Sequence, residues 1–288
     1  MNKVPYSIGS PGRAALELPD GVPGDRSGPA DVELSAAALP GMLIRAATSR
    51  GLLHRSRGTP RQDAFALSRR GPDCVIAVVC DGVGEFGRSD EAATLVSRYL
   101  ADAGAEDIPW PEAFAGANDQ LRKLVEETLA RENADRVRDG MATTAVALSA
   151  RLEAGDWIGS AAWIGDSTIW HLDGDGSWSL LAGASGEPES YYHSSAVRPM
   201  PSGDGGCSRT GFRLTGGAFF IMSDGVSNPL RWNGRVQEAL ARWWRRPPDS
   251  IEFAAQIGFA MKAHVDDRTV IGIWPDGGDA DDADVRSS

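Results

Sequence analysis

The sequence predicts an α+β domain in which two β-sheets pack face to face and a pair of helices covers the outer face of each sheet. Several strands are apolar at consecutive positions, as in Cys74–Cys80, which is typical of strands that are buried on both faces. The clear helical patterns come in two pairs, and strand patterns fill most of the remaining chain. Buried sheets with helices on both sides satisfy these observations together.

Ten segments are predicted to be strands, because they are short apolar or alternating runs bounded by turn residues. They span residues 42–48, 63–68, 73–80, 142–151, 156–164, 167–172, 177–182, 210–214, 218–223 and 269–274. Since Gly, Ser and Pro are frequent in the segment 183–209 and no periodicity runs through it, we expect a long loop there. Loops of this length often serve as functional lids.

Four helices are predicted. Ser89 is expected to cap the first, whose apolar positions recur at helical spacing as Ala92, Leu95, Val96, Tyr99 and Leu100. Pro111 is expected to open the second, and one side of that helix carries Phe114, Ala117, Asn118, Leu121, Leu124, Val125 and Thr128. Two more span 234–245 and 250–264, on either side of Pro247-Pro248. Trp243-Trp244 continues an apolar helical face and is expected to pack in the core and at its edge.

The two ends of the chain differ in composition from the rest. Residues 1–40 are rich in Gly, Pro, Ala and Asp without a periodic segment, so we expect them to be disordered or loosely attached. Residues 275–288 carry several aspartates and are expected to form a flexible acidic tail. The sequence therefore predicts one domain over residues 41–274.

Composition narrows the functional classes. The net charge of −11 over 288 residues argues against general binding to nucleic acid or to anionic membrane lipid. No apolar run approaches the roughly 20 residues that cross a bilayer. Three cysteines cannot all pair, and Cys74 and Cys80 lie too far apart within one strand to bridge. Reduced thiols in a protein of the cytoplasm are the simplest interpretation.

Aspartates recur where hydrophobic strands end. Asp81, Asp166 and Asp224 each follow a strand, and Asp266-Asp267 precedes the last one. Any single one of these is most simply a turn residue. Taken together, they indicate carboxylates that meet at one place, where they would repel one another unless cations lay between them.

An all-oxygen ligand set, without His or Cys at metal-binding spacing, favours Mg²⁺ or Mn²⁺ over Zn²⁺. Two such ions about 3.5–4 Å apart can generate a bridging hydroxide and brace a phosphoryl group for in-line attack. The pattern therefore indicates metal-dependent hydrolysis. A serine hydrolase is disfavoured, because no nucleophile-elbow pattern surrounds Ser223.

An ordered set of short motifs resembles the metal-dependent serine/threonine protein phosphatases of the protein phosphatase 2C type, in a divergent bacterial branch. The motifs run over about residues 42–274 in the family's order. They are Gly58-Thr59-Pro60-Arg61-Gln62-Asp63-Ala64-Phe65, Val78-Val79-Cys80-Asp81-Gly82-Val83-Gly84, Met141-Ala142-Thr143-Thr144-Ala145, Ile164-Gly165-Asp166-Ser167, Met222-Ser223-Asp224-Gly225 and Asp266-Asp267-Arg268-Thr269-Val270-Ile271.

The resemblance implies a four-layer α/β/β/α sandwich of two mainly antiparallel sheets. It also implies hydrolysis of phosphoserine and phosphothreonine, made by a serine/threonine kinase on a partner protein, with two Mn²⁺ or Mg²⁺ ions and a weaker third. In the family's pattern, Asp81 would bridge both ions and the carbonyl of Gly82 would assist. Asp224 and Asp266 would hold the first ion and Asp63 would support the second through water. Asp166, together with Asp224, would bind the third.

The chain departs from the family's pattern at several positions. Gln62 stands where the family commonly has a glutamate. Val83 stands where some members have a histidine, and Asn228 stands where some members have a carboxylate. These changes keep open a catalytically weak or inactive relative that binds a phosphoprotein or regulates a partner. Gly58 takes the place of the phosphate-binding arginine, so Arg57 or Arg61 is expected to serve instead.

His54 lies near the first motif. It could hydrogen-bond a catalytic aspartate or act as a general acid. We expect it to have a structural role in the loop.

Overall fold

The computed structural model describes residues 6–13, 28–83, 88–131, 141–183, 199–203 and 206–275. Thirteen strands lie within these residues: β1 Val32–Leu39, β2 Met42–Ser49, β3 Ala64–Arg69, β4 Cys74–Cys80, β5 Gly82–Val83, β6 Ala142–Thr143, β7 Ala145–Glu153, β8 Asp156–Ile164, β9 Thr168–Leu172, β10 Trp178–Ala182, β11 Ser208–Arg213, β12 Ala218–Met222 and β13 Arg268–Pro275. The helices are α1 Leu52–Arg57, α2 Ser89–Ala105, α3 Trp110–Leu129, α4 Asp224–Trp232, α5 Gly234–Trp244 and α6 Ser250–Ile257.

The strands form two large antiparallel sheets. One has six strands in the order β1-β2-β13-β12-β9-β10, and the other has five in the order β11-β8-β7-β4-β3. The short strands β5 and β6 pair separately, with Gly82 opposite Thr143. Two sheets of this kind agree with the predicted fold class.

Side-chain alternation along β4 shows how the layers are stacked. Ile76 and Val78 pack with helices α2 and α3 in one apolar cluster, whereas Val75 and Ala77 pack against the other sheet in a second cluster. Both faces of the strand are therefore buried, as its consecutive apolar residues predict. A third cluster joins the outer face of the six-stranded sheet to α4, α5 and α6. Three apolar layers between four structural layers confirm the α/β/β/α sandwich.

The outer core of the six-stranded sheet is built around Trp244. Its ring stacks on Phe220 with centroids 5.1 Å apart and lies 5.4 Å from the ring of Phe253. Its indole N–H donates to Oε1 of the buried Gln256, 2.9 Å away. Trp243 is only partly buried and meets Tyr6 edge-on. The two tryptophans thus occupy core and edge, as predicted.

The prediction that residues 1–40 are disordered or loosely attached is wrong for the described part of that segment. Val32–Leu39 pairs with β2 along its whole length, and Ile8 is buried while Ser7 bridges to Ala260. The Ala-rich strand gave little local signal, because its order comes from hairpin pairing with β2, which follows it after a turn at Pro40-Gly41. Pro275 belongs to β13, and the rest of the predicted acidic tail lies outside the described residues, as does most of the predicted loop 183–209.

Several element boundaries also differ from the prediction. The helix expected over 250–264 ends at Ile257, and Gly258 and the left-handed Ala263 follow in a turn that contacts the N-terminal segment. Ser89 does not cap α2, because it lies within the first turn and makes no capping hydrogen bond. The strand predicted over 142–151 is interrupted at Thr144. Helices α1 and α4 were not predicted. The glycine and proline within α4 concealed its helical pattern.

Replacing Trp244 with alanine is expected to lower the free energy of unfolding by about 3–5 kcal/mol, because it removes a fully buried aromatic ring and leaves a cavity. Urea unfolding followed by fluorescence would measure the loss. Trp243→Ala serves as the matched control and should cost less than half as much. Equal losses for the two variants would contradict this account of the core.

Candidate metal centre

Strand direction brings the predicted aspartates to one end of the sandwich. Strands β4 and β8 both run antiparallel to β7, so Asp81 and Asp166, which follow them, lie at the same end of the five-stranded sheet. Strands β12 and β13 are antiparallel to each other, so Asp224 after β12 and Asp266 before β13 share one end of the other sheet. The topology therefore gathers residues that are far apart in the sequence.

The four carboxylates lie close enough for Asp81 and Asp224 to feel the charges of the other two. Asp81 and Asp224 are within hydrogen-bonding reach, and both are influenced by the charges of Asp166 and Asp266. Burial first, and then these neighbouring charges, raise the pKa of Asp224 from 3.8 to about 7. The same causes, together with the charge of Asp63, raise the pKa of Asp81 well above its ordinary value. In the absence of cations, protons must therefore relieve the repulsion near neutral pH.

Threonines of the third sequence motif hold the backbone of Asp81. The Asp81 carbonyl accepts hydrogen bonds from the backbone N–H of Thr144 at 2.8 Å and from the hydroxyl of Thr143 at 2.9 Å. Oγ1 of Thr144 lies 2.9 Å from Oγ of Ser167, which follows Asp166. This motif therefore fixes two of the carboxylate-bearing turns relative to each other.

Asp63 is more deeply buried than Asp81, Asp166 and Asp224, and it is 3% exposed. Its Oδ2 accepts a hydrogen bond from the Ser223 hydroxyl at 2.7 Å and lies 2.8 Å from Oγ1 of Thr269. Asp63 was predicted from its sequence motif, whereas its two hydroxyl partners were not. Burial, followed by the charge of Asp267, raises the pKa of Asp63, whereas the two hydroxyl hydrogen bonds lower it. Asp63 thus ties the first motif to the ends of β12 and β13.

Asp267 fixes the turn next to Asp266. Its two oxygens accept from the backbone N–H groups of Gly51 at 2.6 Å and Gln62 at 2.5 Å. Nδ1 of His54 lies 2.9 Å from Oδ1 of Asp267, which agrees with the structural role expected for this histidine. Ligand atoms of His54, Asp266 and Asp267 come within 4.8 Å of one another. Since backbone donors already occupy both oxygens of Asp267, we interpret this group as a structural anchor rather than a separate metal site.

Two glycines allow backbone segments to approach closely around the centre. A Cβ on Gly82 would lie 2.7 Å from the Gln62 carbonyl oxygen and 2.9 Å from Ser89. A Cβ on Gly225 would overlap the carbonyl oxygen of Asp267. The glycine of each Asp-Gly pair is therefore needed for packing beside its aspartate.

The two arginines predicted to bind phosphate occupy different environments. Arg61 is 2% exposed, and its Nη2 donates to Oε2 of Glu33 on β1 at 2.9 Å. Arg57 is exposed at the end of α1 and has no hydrogen-bond or ion-pair partner among the described residues. It follows His54 by three positions and so shares a face of the helix with it. The structure thus leaves Arg57 the more accessible of the two.

The corner expected to bind a third ion contains one amide donor and feels one positive charge. The amide of Asn228 donates to Oδ2 of Asp224 at 3.2 Å, and the charge of Arg231 acts on Asp166. Burial raises the pKa of Asp166, and Arg231 opposes that shift. The amide contact and the positive charge leave less negative charge available to a cation at this corner than beside Asp81.

The donor set suits a hard divalent cation. The carboxylates of Asp166 and Asp266 raise the pKa values of Asp81 and Asp224, and such clustered carboxylate oxygens are the ligands that Mg²⁺ and Mn²⁺ prefer. Asp81, Asp224 and Asp266 could hold such ions, and the carbonyl of Gly82 is adjacent in the chain.

Replacing Gly225 with alanine is expected to displace the Asp266-Asp267 turn and to weaken Mn²⁺ binding at least tenfold, because the new Cβ overlaps backbone. Isothermal titration calorimetry would measure the affinity. Gly234→Ala is the matched control, since no atom lies within 4 Å of its added Cβ. Unchanged affinity in Gly225→Ala would show that the turn is not held as described.

The raised pKa values of Asp81 and Asp224 give a pH dependence with a definite sign. The metal-free folded protein binds protons more tightly than the unfolded chain, so this stabilisation is complete below pH 3.8 and is lost as pH rises through about 7. We therefore expect its melting temperature to fall over that range. Added Mn²⁺ should raise the melting temperature most at high pH, since the carboxylates must lose their protons to bind metal. In the metal-free protein, Asp224→Asn should make the melting temperature depend less steeply on pH. A melting temperature that rises with pH in all these samples would contradict the assignment.

Comparison with known proteins bears on the family and the fold. A sequence profile described as Protein phosphatase 2C matches residues 50–260. No curated protein matches the chain in sequence.

The fold resembles solved bacterial phosphatases. The serine/threonine phosphatase of S. agalactiae has a TM-score of 0.60 at 18% identity, covering 85% of this chain and 99% of that one. The serine/threonine phosphatase Stp1 of Staphylococcus aureus has a TM-score of 0.57 at 14% identity, covering 88% and 99%. RsbX, solved in complex with magnesium, has a TM-score of 0.56 at 12% identity, covering 84% and 100%. The sequence profile and the shared fold identify the chain as a member of the protein phosphatase 2C family.

Proposed function

We propose that this protein is a metal-dependent phosphoprotein phosphatase that hydrolyses phosphoserine and phosphothreonine. The observation that carries the proposal is the convergence of Asp81, Asp224, Asp166 and Asp266 on one point, where their charges act on one another. Such a site is costly unless divalent cations occupy it. Family membership supports phosphatase chemistry.

The proposed ligands are those that the aspartate pattern indicates. Asp81 and the carbonyl of Gly82 would contact two ions of Mn²⁺ or Mg²⁺, and Asp224 and Asp266 would complete the first site. Asp63, buried behind them, would support the second site through water. A weaker third ion beside Asp166 is the least favoured, because the Asn228 amide donates to Asp224 and the positive charge of Arg231 acts on Asp166. Bound ions would supply a hydroxide nucleophile and neutralise charge on the phosphoryl oxygens.

Substrate positioning falls to side chains of this chain. Arg57 is accessible at the end of α1 and would orient the phosphate by a bidentate contact. Arg61 could do so only by releasing Glu33. Val83 provides no proton for the leaving group, and we assign that proton to water.

The proposed partner is a protein phosphorylated by a serine/threonine kinase, and the proposed location is the cytoplasm, where the protein would act in signalling. The three cysteines are unpaired, in agreement with a reducing compartment. Among the described helices, none has the length and apolar character needed to span a bilayer. The net charge of −11 disfavours nucleic acid as a partner.

A non-catalytic relative that binds or regulates a phosphoprotein is the second candidate. The contact between the Asn228 amide and Asp224 favours it, because that donor competes with a cation for one carboxylate oxygen. The retained aspartates at positions 81, 224 and 266 favour catalysis.

Asp81→Asn and Asp224→Asn are each expected to lower Mn²⁺-dependent hydrolysis of p-nitrophenyl phosphate by about 100-fold or more, because ion-stabilised charge in the transition state is lost. Release of phosphate from phosphothreonine peptides should fall in parallel. Asp119→Asn is the charge-matched control on an exposed part of α3 and should keep full activity.

Calorimetry with Mn²⁺ separates the two candidate functions. Tight metal binding by the unmodified protein without turnover of any phosphorylated substrate would favour the binding module. Full activity in both aspartate variants would overturn the ligand assignment.

A further inference from the structure

A cavity of about 170 Å³ lies beside the metal centre. It is bounded by the end of β2, by α1, by α6 and by the turn that leads into β13, and Val32 of β1 also lines it. Asp266 lines the cavity as well as belonging to the carboxylate cluster. An occupant of this cavity would therefore sit next to the proposed site of phosphate hydrolysis.

The lining of the cavity carries an excess of positive charge. Arg50, Arg55 and Arg268 line it, against the single carboxylate of Asp266. Arg50 is paired with Asp31 at 3.0 Å. Arg55 has no ion-pair partner among the described residues, and its buried Nε has no hydrogen-bond partner there.

Arg268 adds a buried charge without a paired carboxylate in the described part of the chain. Its guanidinium donates to the carbonyls of Phe259, Ile257 and His264, the last at 3.1 Å, and stacks over the Phe259 ring at 4.0 Å. Its side chain is 5% exposed, and its Nε has no partner within the described residues. A buried cation held by carbonyl dipoles favours an anion nearby.

The size of the cavity limits what it can bind. Pockets for drug-sized ligands measure roughly 300–1,000 Å³, so 170 Å³ suits a single side chain or a small anion. Guanidinium groups bind planar carboxylates and phosphates. Size and charge together indicate an oxyanion.

We propose that this cavity binds an oxyanion carried by the substrate chain, the carboxylate or phosphate of a residue close to the phosphorylated one. The protein would then prefer phosphorylated sites in acidic or multiply phosphorylated segments. This inference rests on the proposed phosphatase function, which it deepens by naming a class of substrate.

The test compares two phosphothreonine peptides, one with glutamates and one with alanines around the phosphorylated residue, on the full-length Mn²⁺-loaded protein. The KM for the glutamate peptide is expected to be about tenfold lower, the effect of one charge-assisted contact. Arg55→Ala should remove this difference. Val32→Asp, which places a negative charge at the rim without touching an arginine, should do the same.

Leu34→Asp is the matched control. Leu34 is 42% exposed and Val32 is 45% exposed; both lie on one face of β1, but Leu34 is not among the cavity-lining residues. This variant should retain the tenfold preference. In calorimetry, the unmodified protein and Leu34→Asp should bind a non-phosphorylated glutamate peptide more tightly than Arg55→Ala and Val32→Asp do.

The possible results separate the two proposals. The phosphatase function would be overturned if neither p-nitrophenyl phosphate nor either peptide is turned over. The anion site would still stand if the unmodified protein binds the glutamate peptide and Arg55→Ala and Val32→Asp lose that binding. Turnover of both peptides with equal KM values would overturn the inference. A third result would also overturn the inference. If inorganic phosphate inhibits the protein, if Arg55→Ala and Val32→Asp weaken that inhibition, and if the glutamate peptide is not preferred, the anion bound in the cavity is free phosphate.

Discussion

Repulsion between carboxylates that meet at one end of the sandwich is the constraint on which the rest of this structure depends. Asp81 and Asp224 lie within hydrogen-bonding reach of each other, and Asp166 and Asp266 are close enough to raise their pKa values. Such an arrangement stores unfavourable energy in the metal-free protein. It persists because the strands that carry these residues are anchored by two apolar layers and cannot separate.

A layer of hydroxyl and backbone contacts behind the carboxylates fixes their positions. Thr143 holds the Asp81 carbonyl, and Ser223 donates to Asp63. Asp267 accepts hydrogen bonds from the backbone N–H of Gly51, just before α1, and from that of Gln62 in the first motif, and thereby connects both sides of α1 to the start of β13. These contacts use short polar residues next to the aspartates. The same sequence motifs therefore supply both candidate metal ligands and the groups that hold them in place.

The cationic side chains are divided among distinct tasks around the acidic centre. Arg61 is committed to Glu33 and so secures the edge strand β1 to the first motif. Arg231 acts on Asp166, and Arg55 and Arg268 line the adjacent cavity. Arg57 remains accessible at the end of α1. Under the two proposals, Arg57 would meet the phosphoryl group and Arg55 would meet the residues that surround it in a substrate.

Much of the architecture follows from local sequence. Consecutive apolar residues in β4 predict burial on both faces, and helical spacing predicts the inner face of α2, because both patterns reflect side-chain periodicity that needs no partner to be read. Strand β1 and helix α4 gave no such signal. The first is ordered by its register with β2, and the second contains a glycine that the approach of Asp267 requires.

The sequence by itself determined that aspartates end the buried strands and that no His or Cys stands at metal-binding spacing among them, which is enough to indicate an oxygen-ligand site. Tertiary structure alone decided which polar groups these aspartates meet. It committed Arg61 to Glu33, gave Asp267 an anchoring role beside His54, and brought Arg55 and Arg268 to one cavity. Those outcomes depend on contacts between residues far apart in the chain, and spacing along the sequence carries no information about such contacts.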